Sequence, residues 1–437
     1  PMETWMLASI VLLALLLLLS LGIPIAFTLC GVATVGIFFT WGPKGLLLLF
    51  NTAYGESTSF LLLAIPLFIF MANQLKFSGM GDDLYEMVYR WMGRISGGLA
   101  IGTVMICAIF AAMAGISSVA TISMGLIALP SMLQRGYHKD LAVGAISAGG
   151  ALGILIPPSI IMILYGAMAE VSVGKLFIGG IIPGLLLCLI FMIYIFIRAL
   201  FQKSMAPPIE ETYSLREKLV VLKGVILPVA LILLVLGVIY FGVCTPTEAS
   251  AVGAFGAMAC ALAYGKLTWE NLKQALWSTI KINAMVFWLI IGAMAFSQFM
   301  AYAEIQGLIQ ETILSLEVSP WLILIAMQVI FFVLGMFLDP AGIIMLTTPI
   351  FVPIVTDLGF DPLWFGILFV INMEMAYVTP PFGFNLFIMK GIVPSSISMT
   401  DIYRSIIPFV MLQALCLILV MLFPQLATWL PEMMVGQ

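Results

Sequence analysis

The chain has 437 residues, of which 63% are hydrophobic and only 9% charged, with a formal net charge of −4. So few charges cannot coat a soluble globule, and continuous apolar runs of about twenty residues recur along the chain, so the fold class is an all-α polytopic membrane protein embedded among lipids. The runs are continuous and not alternating, which argues against a β-barrel, and no basic patch marks a nucleic-acid partner.

Met2–Leu21 resembles a signal peptide, but Glu3 and the missing basic start make it a first span. Trp5–Thr40 holds two spans' worth of residues, interrupted at Gly22-Ile23-Pro24. Lys44–Ser59 is shorter and more polar. Its counterpart is Lys266–Lys281, with Trp269, Leu272, Leu276 and Ile280 at helical spacing. Both read either as helices lying near the membrane interface or as ordinary loop helices. Phe60–Phe77 reads as a span and Asp82–Arg94 as a second amphipathic piece.

Gly97–Gln134 carries no charge, and the matching stretch Trp321–Thr356 carries only Asp339. Each is either two full spans or a re-entrant hairpin. The tips would be Gly115-Ile116-Ser117-Ser118 and Leu338-Asp339-Pro340-Ala341-Gly342. Small polar residues suit a tip that holds a ligand, and irregular backbone at that depth needs protein or a polar cavity around it, which favours hairpins. Leu141–Gly166 and Leu363–Lys390 are long enough to span, yet each contains a Pro-Pro pair. Pro157 and Pro158 deprive the carbonyls of Gly153 and Ile154 of helical partners, and Pro380 and Pro381 do the same to Ala376 and Tyr377. Neighbouring helices and water could satisfy such carbonyls; two symmetric breaks favour a bound cation instead.

The breakers recur in register. Pro130, Gly136, Pro157 and Pro158 map at one offset onto Pro353, Gly359, Pro380 and Pro381. The chain therefore reads as an internal duplication: a first membrane repeat over residues 1–200, a connector over 201–223 and a second repeat over 224–437. The hairpins fall near 97–134 and 321–356. Around the connector stand Arg198, Lys203, Arg216, Lys218 and Lys223, which place it in the cytoplasm. An odd number of crossings in each copy would make the repeats inverted.

Two carboxylates stand out. Glu374 precedes Thr379-Pro380-Pro381, and Asp339 lies at the second tip. An acid near the bilayer centre costs about 2.5–3.5 kcal/mol on insertion scales, which argues for a cation or a local partner. Ser117, Ser118, Thr121, Asn372, Thr379 and Asn385 gather at the same places, and such oxygen ligands suit a hard monovalent cation. The six cysteines have no ligand spacing, and His138 is the only histidine. There is no phosphate-binding loop, so ATP does not drive the chain directly. No catalytic constellation is visible, and the chain reads as a non-enzyme.

These motifs resemble the large membrane (M, or DctM-type) subunit of tripartite ATP-independent periplasmic (TRAP) transporters. The pieces that carry the resemblance are Leu63–Phe68, Gly115–Thr121, Gly136-Tyr137, Leu152–Ser159, Lys175–Phe177, Ile182–Gly184, Thr245–Ala249 and Thr379–Phe387. Many members have Lys and Glu where this chain has Leu126 and Ser131. The resemblance implies a bacterial inner-membrane secondary transporter of an elevator type. It implies Na⁺-driven uptake of an organic acid of the C4-dicarboxylate or sialic acid class. A soluble periplasmic binding protein (the P type) would deliver the substrate, and a small membrane subunit of about four helices (the Q type) would brace the large one. The alternative is a stand-alone sodium/anion symporter. Carried onto this chain, one sodium site would use Ser117, Ser118, Gly149 and carbonyls near Gly153. The other would use Leu338, Asp339, Asn372, Thr379 and Gly383. Substrate would sit between the tips, at Ser117, Thr121, Pro340, Pro381 and Asn385.

Overall fold

A computed structural model describes residues 2–115, 117–209, 211–381 and 383–434, without the side chains of residues 2, 3, 80 and 114. Ile116 of the first tip and Phe382 after the second Pro-Pro pair lie outside the described residues. Among the described residues every regular element is helical.

The first copy opens with α1 (Met2–Ser20) and α2 (Ile25–Trp41), parted where Gly22 takes a φ of +78° ahead of Pro24. Next come α3 (Leu47–Ser57) and α4 (Ala64–Phe77), then the amphipathic α5 (Met80–Met92). The uncharged stretch forms α6 (Gly98–Ala114) and α7 (Ser117–Gln134), joined at Gly115. Then α8 (Lys139–Ala151) tightens into a 3-10 turn over Leu152–Ile154, the chain breaks at Pro157-Pro158, and α9 (Ile160–Ala169) restarts under the Ser159 cap. Helix α10 (Val173–Phe201) closes the copy.

The second copy repeats the order. It comprises α11 (Leu215–Tyr240), α12 (Pro246–Ala263), α13 (Trp269–Tyr302) and α14 (Ile305–Leu314). The hairpin-like pair is α15 (Pro320–Gly335) and α16 (Pro340–Asp357), and the broken pair is α17 (Pro362–Tyr377) and α18 (Phe384–Ile392). It ends with α19 (Met399–Leu422) and α20 (Gln425–Glu432). Among the described residues six helices are long and apolar enough to cross a membrane, α10, α11, α13 and α19 with them.

Two details differ from the sequence reading. Lys266–Lys281 is no separate interfacial helix: from Trp269 it runs on into the 34-residue α13. In the first copy the same region is broken, and the pieces Pro43–Ser57 and Leu61–Phe77 meet at 56°. The reason is local. Pro66, in the first turn of α4, has no N–H for the Leu62 carbonyl and its ring disfavours a helix running back through that residue, whereas α13 contains no proline. The connector is also shorter, because α10 continues through Phe201 and a capping box between Ser214 and Glu217 starts α11.

The packing gathers like with like. Helix α8 lies against α6, α7 and α19, while α16 lies against α9 and α7 against α18. The hairpins and broken helices of both copies thus form one cluster. Around it, α2 and α4 pack on α13, and α12 packs on α4 and α11.

Candidate functional site

The first tip is fixed by backbone geometry. Gly115 adopts a φ of +59°, which L side chains rarely take, and its N–H donates to the Ala111 carbonyl at 3.0 Å. A Cβ there would stand 2.5 Å from the carbonyl oxygen of Pro158, so the tip lies directly on the first Pro-Pro break. In the last turn of α8, a Cβ at Gly150 would meet the Thr121 hydroxyl at 2.0 Å. Gly149 faces Cys107 and Val104 of α6 in the same way. Two adjacent glycines therefore let both hairpin arms close onto α8.

Into this junction comes a residue from the other copy. The Asn385 amide donates to Ser117 Oγ at 2.6 Å and to the Ser147 carbonyl at 3.4 Å. Asn385, Ser117, Ser147 and Thr121 are all buried. The Asn385 Oδ1 and Ser147 Oγ atoms have no hydrogen-bond partner among the described residues. Buried polar oxygens without partners are costly, and a hard cation is a fitting occupant for such oxygens.

The second tip is built differently. Asp339 caps α16 by accepting the Ala341 N–H at 3.0 Å, and Pro340 takes the first helical position. The Tyr377 hydroxyl donates to the other Asp339 oxygen at 3.4 Å. Leu338, Asp339, Tyr377 and Gly383 together line a cavity of about 230 Å³.

The remaining candidates lie at different points. The Asn372 amide donates to the Gln328 carbonyl at 2.7 Å and to its Oε1 at 2.9 Å. Its side chain is thus engaged with α15 and lines a separate apolar cavity beside α19. Thr379 donates back to the Met375 carbonyl at 2.7 Å. The Pro381 carbonyl accepts from the Tyr403 hydroxyl at 2.7 Å, and the Pro381 ring is exposed. Ser118 is half-buried, next to Ser117 in the first turn of α7. Glu374 is wholly buried with Gln413 of α19 at 3.5 Å, and its Oε2 is unpartnered among the described residues.

The freed carbonyls need a correction. Ile154 accepts the Ser159 hydroxyl at 2.5 Å, and Ala376 accepts the Thr379 N–H at 3.1 Å. The chain turns tightly after each helix and re-caps itself, so proline does not leave these two oxygens bare. Gly153 is buried within the 3-10 turn. Sequence reasoning also missed Ser147, Gln328 and Gln413. The two glutamines, polar residues inside long apolar runs, were the signal available.

Comparison with known proteins agrees with this architecture. The family model described as "Tripartite ATP-independent periplasmic transporter, DctM component" matches residues 11–426. The C4-dicarboxylate TRAP transporter large permease protein DctM of Pseudomonas aeruginosa is 36% identical over 405 residues, covering 92% of this chain and 93% of that one. The ectoine TRAP transporter large permease protein TeaC of Halomonas elongata is 32% identical, covering 95% and 97%. The sialic acid TRAP transporter large permease protein SiaM of Vibrio cholerae is 28% identical, covering 96% and 97%. In structure, the Alcanivorax borkumensis YdaH transporter superimposes with a TM-score of 0.66 at 15% identity, covering 96% of this chain and 98% of that one, a likeness of fold. With the family model spanning both hairpins and both Pro-Pro breaks, this membrane protein belongs to the DctM component family of tripartite ATP-independent periplasmic transporters, as a large permease.

Proposed function

We propose that this permease carries a carboxylate-bearing organic acid into the cell, coupled to Na⁺, across the bacterial inner membrane. A periplasmic binding protein delivers the acid, a small membrane subunit braces the permease, and the hairpin cluster moves as an elevator between inverted repeats. The observation that carries this reading is the Asn385–Ser117 bond at 2.6 Å, with unpartnered buried oxygens of Asn385 and Ser147 beside it. It joins the tip of one copy to the broken helix of the other, where a cation and a substrate could bias one shared arrangement. Ser117, Ser147 and Asn385 would hold the first Na⁺ with carbonyls near Gly153. Leu338, Asp339 and Gly383 would hold the second.

The substrate class rests on chemistry and on the relatives' names. C4-dicarboxylates, sialic acid and ectoine all bear a carboxylate. Helix α7 begins at the first tip, so its first-turn N–H groups and positive dipole end suit an anion there, whereas at the second tip Asp339 already caps α16.

The test is uptake into proteoliposomes containing the permease, its small subunit and the loaded binding protein. Uptake should require Na⁺ and rise with an inside-negative potential. One net charge gains about 2.3 kcal/mol per 100 mV, or roughly fifty-fold accumulation. Equal uptake with K⁺ in place of Na⁺ would overturn the coupling.

A further inference from the structure

Away from the tips, three helix ends enclose a cavity of about 270 Å³ that the transport reading does not use. Its walls include Asp140 at the start of α8, Tyr194 and Arg198 near the end of α10, and Arg404 and Ser405 near the start of α19. It lies beside the connector: Arg198 Nε approaches Met205 Sδ at 3.4 Å, and the Met205 carbonyl accepts the His138 N–H at 2.8 Å.

The charges are arranged for a ligand carrying both signs. Arg198 is half-buried, and its Nη1 donates to the Tyr194 hydroxyl at 2.7 Å, which holds the guanidinium in place. Arg404 is exposed and has no ion pair among the described residues. Asp140 also lacks a cation. Neighbouring Lys139 is engaged by Asp401 at 2.7 Å. The nearest basic group otherwise is His138, whose Nδ1 lies 3.8 Å from the Asp140 carboxylate and accepts the Asp140 N–H at 3.3 Å. The cavity thus holds two guanidinium groups and one carboxylate.

Its position selects among ligands. Helix α10 ends at the cavity and α19 begins there, so both run from it into the membrane. Each carries an exposed apolar stripe at helical spacing, Leu185, Leu189, Ile193 and Ile197 on one and Ile407, Met411, Leu415 and Ile418 on the other. A molecule with a polar head in the cavity would have its tail along apolar helix. Guanidinium forks match phosphate oxygens, and a carboxylate matches an ammonium group with N–H donors. Basic pockets between membrane helices at this level take lipid headgroups.

We propose that this cavity is a binding site for phosphatidylethanolamine. Arg404 and Arg198 take the phosphate and Asp140 takes the primary ammonium. Three lipids separate the possibilities. Phosphatidylglycerol offers the phosphate without the ammonium, and phosphatidylcholine offers a cation that donates no hydrogen bond. The experiment is native mass spectrometry of the purified full-length permease in detergent, titrated with each lipid bearing the same acyl chains. Phosphatidylethanolamine should bind best. Arg404→Gln should weaken it by about tenfold, the scale of one charge-assisted bond. Asp140→Asn should abolish the preference over phosphatidylglycerol while leaving the latter's own binding at least as tight. Thermal melts without added lipid verify the fold of each variant, and Arg198→Gln serves as a second phosphate-arm variant. Equal binding of phosphatidylethanolamine and phosphatidylglycerol by the unmodified chain would overturn the assignment. So would retained phosphatidylethanolamine binding in both arginine variants.

Discussion

At Asn385 one side-chain amide reaches two elements of the other repeat, α7 through Ser117 and α8 through Ser147. Removing either partner leaves the other buried without its bond, which costs roughly 1–3 kcal/mol. Asn385→Ala and Ser117→Ala should each raise the Na⁺ concentration for half-maximal uptake about ten-fold or more, at wild-type protein levels. The double variant should fall short of the sum of the two, because the bond between the residues can be lost only once although each also removes an oxygen from the cation. Fully additive effects would mean that the two residues act separately and that the bridge is incidental. Both residues were visible in the sequence as polar groups in apolar surroundings. Their pairing was not, because 268 positions separate them and no local pattern encodes such a contact. Ser147 was less visible still, since a single serine in a helix ordinarily bonds its own backbone. The bare carbonyls expected at Ile154 and Ala376 were misread because i−4 accounting ignores a chain that tightens and caps itself.

At the scale of elements, prolines and glycines announced the breaks, and the helices stop or restart close to them. What the sequence could not supply was the course of residues 202–214. That connector is strapped beneath the first hairpin by backbone bonds, Ile209 N–H to the Gly93 carbonyl at 2.7 Å and Gly97 N–H to the Ala206 carbonyl at 3.1 Å. A side-chain relay adds to it. Arg135 donates to the Tyr89 hydroxyl at 2.7 Å, and Tyr89 donates to Glu211 at 2.9 Å. Hydrogen bonds from Tyr213 and then Tyr89 hold the Glu211 carboxyl below the usual carboxylate range. The folded value is the lower one, so its contribution is complete above the unfolded value and is lost as pH falls through the folded value. Hydrogen exchange of the connector, corrected for intrinsic rates, should therefore be unchanged from pH 7 to about pH 5 and accelerate only below about pH 4. Tyr89→Phe should accelerate it at pH 7. Loss of protection already between pH 7 and about pH 5 would show that another group holds the strap.

For the molecule as a whole, the two copies do not fold as two separate halves. Their hairpins and broken helices pack on one another, while α2, α4, α12 and α13 make a second group around them. An elevator requires the contacts between these groups to be exchangeable. One such contact lies at the second tip, where a Cβ on Gly342 would stand 2.6 Å from Ile25 Cδ1 of α2. The close approach holds because one partner has no side chain, and such a surface can slide. Ile25→Cys shortens the larger residue and makes room for Gly342→Cys, so the pair should assemble in a background whose six native cysteines are replaced. Bridging the two thiols with Hg²⁺ should bring sodium-driven uptake to the liposome background, and excess dithiol should restore it. Each single cysteine variant should be insensitive to the metal, which separates the cross-link from simple blockage. If the bridged pair transports at the unbridged rate, the tip and α2 travel together. The moving boundary then lies elsewhere, and the division into a carrying cluster and a surrounding frame is wrong at this contact.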